Sequence, residues 1–181
     1  AGATGVVVTQ GTDTIEETAY LLDLLHQRSE PMVVTGAMRN PTMAGADGPA
    51  NLLAAIHTAA SPTAREQGCL VVLADEIHAA RWVAKTHSTH GGTFRSPDTG
   101  PLGYIMEGTA RLLTRVPYRL TIPTPGQTDH IRVGLYTVSL DDDPTLLDAI
   151  GRHCDGLVVA GFGVGHVPEP LVGTLTTLAA R

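Results

Sequence analysis

The sequence predicts an α/β protein built on a parallel sheet. Three short apolar runs, at residues 5–9, 32–35 and 69–74, alternate with helix-forming stretches in the first half of the chain. Continuous apolar runs rich in β-branched residues are typical of strands buried on both faces. Strand–helix–strand repeats of this kind predict parallel strands joined by right-handed crossovers.

Two helices are predicted between these strands. Apolar residues recur at three- and four-residue spacing over residues 15–27, and Thr14 followed by Glu17 forms a capping-box pattern at the start of that helix. Asp47 and Pro49 predict the start of a second helix, which we expect to end near residue 60.

The chain changes character after residue 76. Residues 81–86 are a candidate strand, and Glu107-Gly108 is a predicted hairpin turn between strands at 104–106 and 109–113. Proline and glycine between residues 114 and 129 predict a linker. We therefore expect residues 1–113 to form a larger domain, flavodoxin-like or Rossmann-like, that carries the active-site residues.

Residues 130–181 predict part of a second, smaller α/β domain. Strands are expected at 131–138 and 156–160, and helices at 145–153 and 171–180. One strand–helix–strand–helix piece cannot cover both faces of its own sheet, so we expect this second domain to be incomplete.

Composition excludes several classes of protein. The formal net charge is −6 and no basic run occurs, which argues against nucleic-acid binding. No apolar stretch approaches the roughly 20 residues that span a bilayer, so no membrane role is expected. The two cysteines, Cys69 and Cys154, are interpreted as buried thiols.

A Thr-Asp pair carries the strongest chemical signal. Thr12 and Asp13 follow the first strand directly, and ligands bind at the carboxyl ends of parallel strands. Thr12 offers a hydroxyl that needs a base beside it, and Lys85 is a candidate base. Burial would lower the pKa of Lys85, whereas the charge of Asp13 would raise it. The competing interpretation is that these residues only cap a helix, which is the commoner role for Thr and Asp at this position.

Three other patterns are weaker. The glycines at 161–165 follow a strand but lack the third glycine of a dinucleotide-binding loop. His78, His87 and His90 are interpreted as solvated rather than as metal ligands, and no metal site is expected. Trp82 is interpreted as a core residue.

Four ordered segments resemble the bacterial-type L-asparaginase family. They are VVVTQGTDTIEETAYLLDL, VTGAMRNPTMAGADGPANLLAAI, VAKTHSTHGGTFRSPDTGPLGYI and DGLVVAGFGVGH. Three of them contain, in order, the Thr-Asp pair, the Gly36-Ala37-Met38-Arg39 loop and Lys85, and together they span nearly the whole chain.

The resemblance implies roles for four residues. Thr12 is one of two active-site threonines, Asp13 holds the α-ammonium of the substrate, Lys85 activates Thr12, and the backbone carbonyl of Ala37 meets the substrate amide. It also implies hydrolysis of L-asparagine to L-aspartate and ammonia by threonine-based nucleophilic catalysis. No metal or organic cofactor is implied. The implied assembly is a homotetramer, a dimer of dimers with sites at subunit interfaces.

The sequence departs from the family pattern in several places. The opening signature with the first nucleophilic threonine and the Ser-Gln pair that holds the substrate carboxylate are absent, so we expect a chain truncated at both ends and inactive by itself. Residues 138–141 lack the Asn that reaches the neighbouring subunit, and Gln10 replaces a His. These departures leave glutaminase activity open.

Two alternative functions remain from the residues alone. One is the asparaginase-like subunit of a tRNA-dependent amidotransferase, which the acidic composition disfavours. The other is a non-catalytic amino-acid-binding protein on the same scaffold. For the cellular compartment, a cytoplasmic location is slightly favoured over export.

Overall fold

The computed structural model describes residues 2–124, 126 and 130–181, and its contacts divide the chain into two compact units, residues 1–124 and 125–181. The strands of the first unit are β1 Val6–Thr9, β2 Met32–Thr35, β3 Cys69–Leu73, β4 Glu76–Ala79, β5 Ala84–Lys85, β6 Phe94–Arg95, β7 Gly103–Met106 and β8 Thr109–Leu112. Its α-helices are α1 Ile15–Leu25 and α2 Gly48–Ala60.

The main sheet of this unit is mixed rather than parallel. It has six strands in the order β1-β2-β3-β4-β7-β8, and only β1, β2 and β3 run parallel. Strand β4 was not predicted. It folds back antiparallel on β3 through Ala74 and Asp75, which both have positive φ. The candidate strand at 81–86 is reduced to β5, which pairs only with β6.

The two helices pack on opposite faces of the sheet. Ala54 and Ala55 of α2 share one buried cluster with Val33, whereas Ile15 of α1 belongs to a second cluster with Val34. Neighbouring residues of a strand point to opposite faces. Because β1, β2 and β3 step in one direction, two right-handed crossovers would place both helices on the same face. One crossover is therefore left-handed, and the prediction of right-handed crossovers throughout is wrong.

Burial differs along the sheet. All residues of β3 are buried. In β1 none is fully buried, and Val6 is 44% exposed. The prediction that β1 is buried on both faces is wrong for the described residues, because β1 lies at the edge of their sheet.

Both helices begin at the predicted positions. However, the side chains of Thr14 and Asp47, which occupy the two N-cap positions, make no capping hydrogen bond. Thr14 occupies the N-cap position of α1 without a capping bond, and Gln10 Nε2 donates to its Oγ1 at 3.3 Å. Asp47 precedes α2, and its carboxylate accepts the backbone N–H of Met38 rather than a backbone N–H of the helix. The capping-box prediction at Thr14 is therefore wrong.

The predicted hairpin between β7 and β8 is confirmed. Glu107 and Gly108 have φ of 51° and 72°, the left-handed pair that a tight hairpin turn requires. The residues that follow this hairpin, up to residue 124, still belong to the first unit. Two hydrogen bonds tie them to earlier elements of that unit: the Val116 N–H donates to Gln67 Oε1 at 2.9 Å, and the Ile122 N–H donates to Leu24 O at 2.8 Å.

Among its described residues, the second unit contains two strands and two helices. They are β9 Val133–Thr137, α3 Pro144–His153, β10 Gly156–Ala160 and α4 Glu169–Ala179. The strands are parallel, and Tyr136, Leu147 and Leu171 form its buried core. No helix of the described residues is long and apolar enough to cross a membrane.

Candidate active site

The Thr-Asp pair lies in a short 3₁₀ helix at the carboxyl end of β1. This helix covers Thr12–Thr14, and Gly11 precedes it in an extended conformation. The Gln10 N–H donates to Thr35 O at 3.1 Å, which holds the start of the turn against the end of β2. The turn therefore begins where the first parallel strand leaves the sheet, the expected position of a ligand site.

Lys85 meets this turn from a distant part of the chain. Its Nζ lies 3.0 Å from Thr12 Oγ1 and 2.7 Å from Asp13 Oδ1. Lys85 is the only lysine among the 181 residues. The residues sit on different elements, since Lys85 belongs to β5 and is held by pairing with Phe94. The structure thus brings together three of the four predicted site residues.

The exposure of the two charged groups is unequal. The side chain of Lys85 is 12% exposed, whereas that of Asp13 is 96% exposed. The hydrogen bond from Lys85 and its positive charge hold the pKa of Asp13 below its ordinary value, against a small opposing effect of burial. A largely buried amine placed between a hydroxyl and an exposed carboxylate is a suitable arrangement for proton transfer to or from Thr12.

The fourth predicted residue, Ala37, lies just beyond β2. A Cβ placed on its neighbour Gly36 would come within 2.5 Å of Gln10 O and 3.2 Å of Thr12 Cγ2. Glycine at position 36 therefore permits close contact between the Thr12 turn and the loop that carries Ala37. No hydrogen bond joins Ala37 to Thr12, Asp13 or Lys85 among the described residues. Ala37 and Gln10 instead line a neighbouring open cavity of about 330 Å³.

Two polar residues beside Ala37 were missed by sequence reasoning as site residues. Asp47 accepts hydrogen bonds from the N–H groups of Met38 and Arg39 at 3.0 and 2.9 Å. Asn51 is 3% exposed and donates to Gly36 O at 3.0 Å. The available signal was an asparagine at a buried position of a mostly apolar helix, because a buried amide has to find hydrogen-bond partners.

The segment after Lys85 is also tied down by threonines. The Thr86 N–H and the Thr86 hydroxyl both donate to Thr93 O, each at 2.8 Å. Thr93 Oγ1 donates to His87 O and accepts from the His87 N–H. These bonds close the loop that follows β5 and so help to fix the position of Lys85.

The three histidines singled out in the sequence, His78, His87 and His90, differ in burial. His78 is fully buried, bonded to Ser96 Oγ at 2.9 Å and to Glu76 Oε2 at 3.2 Å, so its interpretation as solvated is wrong. Burial lowers the pKa of His78, although Glu76 opposes this effect. His87 and His90 are exposed. Within the described residues no group of three or more His, Cys, Asp or Glu side chains could hold a metal ion.

The remaining sequence patterns have structural explanations. Residues 161–165 form a turn closed by a bridge between Phe162 and His166 in the second unit. Trp82 packs partly buried against the core of the first unit. Both cysteines are free, Cys69 being buried and Cys154 partly exposed. Leu140, in the segment that lacks the family's asparagine, is 94% exposed.

Comparison with known proteins assigns the chain to a family. Residues 1–118 match the family model described as Asparaginase, N-terminal. That match covers more than half of the chain, and the chain therefore belongs to the asparaginase family.

Individual relatives extend the similarity beyond residue 118. The chain is 39% identical to L-asparaginase 2 of Escherichia coli over 180 residues, which cover 97% of this chain and 52% of that protein. It is 38% identical to L-asparaginase 2 of Bacillus subtilis over 169 residues, or 91% of this chain and 45% of that protein. The chain thus spans about half the length of these curated relatives.

A solved structure shows the same fold. The crystal structure of the probable cytoplasmic L-asparaginase from Campylobacter jejuni superposes with a TM-score of 0.89 at 37% sequence identity. The superposition covers 99% of this chain and 59% of that one. The mixed α/β architecture of the described residues, with its four α-helices, therefore matches that of an asparaginase structure.

Proposed function

We propose that this chain carries part of the active site of an L-asparagine amidohydrolase. The main observation that supports this proposal is that Lys85 Nζ lies within hydrogen-bond distance of both Thr12 Oγ1 and Asp13 Oδ1. Membership of the asparaginase family supports the choice of substrate, because several relatives are named L-asparaginase.

The proposed reaction breaks the C–N bond of the substrate's side-chain amide and releases L-aspartate and ammonia. Thr12 acts in nucleophilic or proton-relay chemistry at the amide carbonyl. Lys85, once it has lost a proton, accepts the proton of the Thr12 hydroxyl, and that proton leaves with ammonia. Water supplies the oxygen that completes the new carboxylate.

The remaining groups bind the substrate in this proposal. Asp13 holds the α-ammonium group with an oxygen that Lys85 leaves free, and it also tunes the protonation of Lys85. The backbone carbonyl of Ala37 accepts a hydrogen bond from the substrate amide. This arrangement distinguishes the two ends of one small amino acid, a cation at Asp13 and an amide at Ala37.

We also propose that the first unit is a flavodoxin-like domain and that the second is part of a smaller α/β domain. Separate buried clusters in the two units support the division. One face of the β9–β10 pair exposes Val133, Leu135 and Val158, at 62%, 68% and 54%. An uncovered apolar sheet face supports the view that this domain contains further elements.

A homotetramer is proposed from the family resemblance and would be tested by sedimentation of the intact protein.

Ammonia release from L-asparagine by the intact protein tests the catalytic proposal. We expect Lys85→Met and Lys85→Arg to lower kcat by about a thousandfold, within the range for removal of a general base. The arginine variant is the sharper of the two, because it keeps a cation beside Asp13 but cannot give up its proton.

Arg132→Met is a matched control in the second unit, since Arg132 forms an exposed pair with Asp155 at 3.5 Å. It should leave ammonia release unchanged. Near-normal turnover by Lys85→Arg would contradict the base role. If the unaltered protein released no ammonia from L-asparagine, that result would contradict the proposed function. Parallel assays with L-glutamine and D-asparagine define the substrate range.

A further inference from the structure

A hydrogen-bonded cluster holds the loop that carries Ala37. Asp47 receives the N–H of Met38 on Oδ2 at 3.0 Å and the N–H of Arg39 on Oδ1 at 2.9 Å. Asn51 Nδ2 donates to the same Oδ2 of Asp47 at 3.0 Å. Both oxygens of Asp47 are therefore used to hold the backbone that follows Ala37.

Asn51 ties this loop to the sheet. Its Nδ2 also donates to Gly36 O at 3.0 Å, and its Oδ1 accepts the N–H of Ala74 at 3.0 Å. Gly36 follows β2 and Ala74 follows β3, so one buried amide joins the carboxyl ends of two neighbouring strands. With the bond to Asp47, the Asn51 side chain has three partners, and both of its polar atoms make hydrogen bonds.

The geometry of the peptide unit makes this cluster relevant to substrate binding. The carbonyl of Ala37 and the N–H of Met38 belong to one planar trans peptide, in which the two groups point in opposite directions. Because the Met38 N–H is aimed at Asp47, the Ala37 carbonyl is directed away from it. Rotation of that carbonyl would break the bond to Asp47.

The charge state of Asp47 fits this task. Burial acts to raise the pKa of Asp47, but the hydrogen bonds from the backbone N–H groups of Met38, Arg39 and Asp47 and from the Asn51 side chain together outweigh it, so the pKa is lowered. An ionised carboxylate accepts hydrogen bonds on both oxygens, and bonds to it are stronger than those between neutral groups. In addition, the Met38 side chain packs against the buried cluster on the α1 face, which limits movement of the loop.

We propose that Asp47 and Asn51 are positioning residues that aim the Ala37 carbonyl at the leaving amide nitrogen of the substrate. This inference rests on the proposed function and adds the residues that orient the amide end of the site. Neither side chain needs to touch the substrate. Their effect is specific to the leaving group, because only an amide has an N–H to donate to that carbonyl.

The test compares two substrates in the intact protein and in Asp47→Ala: L-asparagine and the β-methyl ester of L-aspartate. The amide loses ammonia and the ester loses methanol, and the methoxy group has no hydrogen to donate to Ala37 O. We expect Asp47→Ala to lower kcat/KM for asparagine about tenfold more than kcat/KM for the ester, the effect of one misplaced hydrogen bond.

Conservative and control variants separate positioning from folding. Asp47→Asn keeps one oxygen acceptor but places an N–H₂ group opposite a backbone N–H, so its amide-to-ester ratio should lie between those of the unaltered protein and Asp47→Ala. It also serves if Asp47→Ala does not fold. Asp143→Ala is the control, because it also removes a side-chain carboxylate that accepts a backbone N–H: Asp143 Oδ1 accepts the Thr145 N–H at 2.7 Å in the second unit. This variant should leave the amide-to-ester ratio unchanged.

An equal loss on both substrates in folded Asp47→Asn would overturn the inference, because a general loosening of the site affects amide and ester alike. An unchanged ratio in an active protein would overturn it as well, without affecting the roles of Thr12 and Lys85. Failure of the unaltered protein to release ammonia would instead contradict the proposed function itself.

Discussion

Two ion pairs join the same two segments of the first unit, yet they are built differently. Asp13 pairs with Lys85, and Asp23 pairs with Arg81, so each links the region of α1 to the stretch around β5. The Asp13 side chain is 96% exposed, whereas that of Asp23 is 2% exposed. The difference in burial separates a pair that can bind a ligand from one that holds the fold together.

Both oxygens of the buried carboxylate are hydrogen-bonded within the protein. Asp23 accepts from Arg81 Nε at 3.0 Å, from Arg81 Nη2 and from the N–H of Cys69 at 2.9 Å, with Arg119 Nε 3.9 Å away. Burial raises the pKa of the adjacent Cys69 thiol to about 12, and the charge of Asp23 adds to this effect. A carboxylate in such a setting is stable only because several donors surround it.

The exposed carboxylate has capacity left. Within the described residues, Asp13 Oδ1 receives Lys85 and the other oxygen makes no hydrogen bond. Exposed ion pairs contribute little to stability, so the fold gains little from this contact. A charged pair that the fold does not need is a common property of binding and catalytic sites, where charge is kept for the ligand.

Removal of Asp23 should have the largest effect on the fold. We expect Asp23→Ala to lower the free energy of unfolding by about 3–5 kcal/mol, because two arginines are left near a buried position without their anion. Chemical denaturation of the first unit within the intact protein measures this loss. Asp148→Ala, which breaks an exposed pair with Arg152 on α3, should leave the midpoint unchanged. Similar midpoints for the two variants would contradict the structural role of Asp23.

Removal of Asp13 should have the opposite profile. We expect Asp13→Ala to leave the unfolding midpoint unchanged but to raise KM for L-asparagine by about tenfold or more, because a charge-assisted bond to the substrate ammonium is lost. Steady-state kinetics and thermal unfolding of the same preparation give both values. An unchanged KM would show that Asp13 serves only the local turn.

The smallest effect concerns protonation of Asp13 itself. Because Lys85 depresses the folded-state pKa of Asp13, the pair stabilises the fold above the ordinary value of 3.8 and loses that contribution as the pH falls through the depressed value. We expect Lys85→Met to return the pKa of Asp13 toward 3.8. Carboxyl NMR titration measures the change. Asp143, whose pKa is lowered by Thr145, is an internal reference that should not move.

Sequence patterns were most informative where structure is local. The apolar runs located β2 and β3, Pro49 located the start of α2, and Glu107-Gly108 located a hairpin turn. The asparaginase resemblance selected Thr12 and Lys85 among many polar residues, and family comparison confirms the resemblance. The specific roles of these residues remain proposals.

Sequence patterns failed where distant segments had to be paired. Strand β4 was missed because residues 76–79 form a short run with charged Glu76 at one end, and only pairing with β3 and β7 makes it a strand. His78 was taken as solvated for the same reason, since its burial depends on Ser96 and Glu76 as partners. The left-handed crossover was unexpected because hydrophobic periodicity does not record which face of a sheet a helix covers.

The sequence by itself determined the three parallel strands of the main sheet and the two helices that pack on it, the turn at Thr12 and Asp13, and the family to which the chain belongs. Only the tertiary structure decided that Lys85 reaches Thr12 across 73 positions of the chain and that Asp47 and Asn51 hold the loop of Ala37. The physical reason is that periodicity and capping act between near neighbours, whereas these contacts depend on strand pairing and on the burial of groups from separate elements. The same reason explains why Asp13 is an exposed candidate site residue and Asp23 a buried structural one.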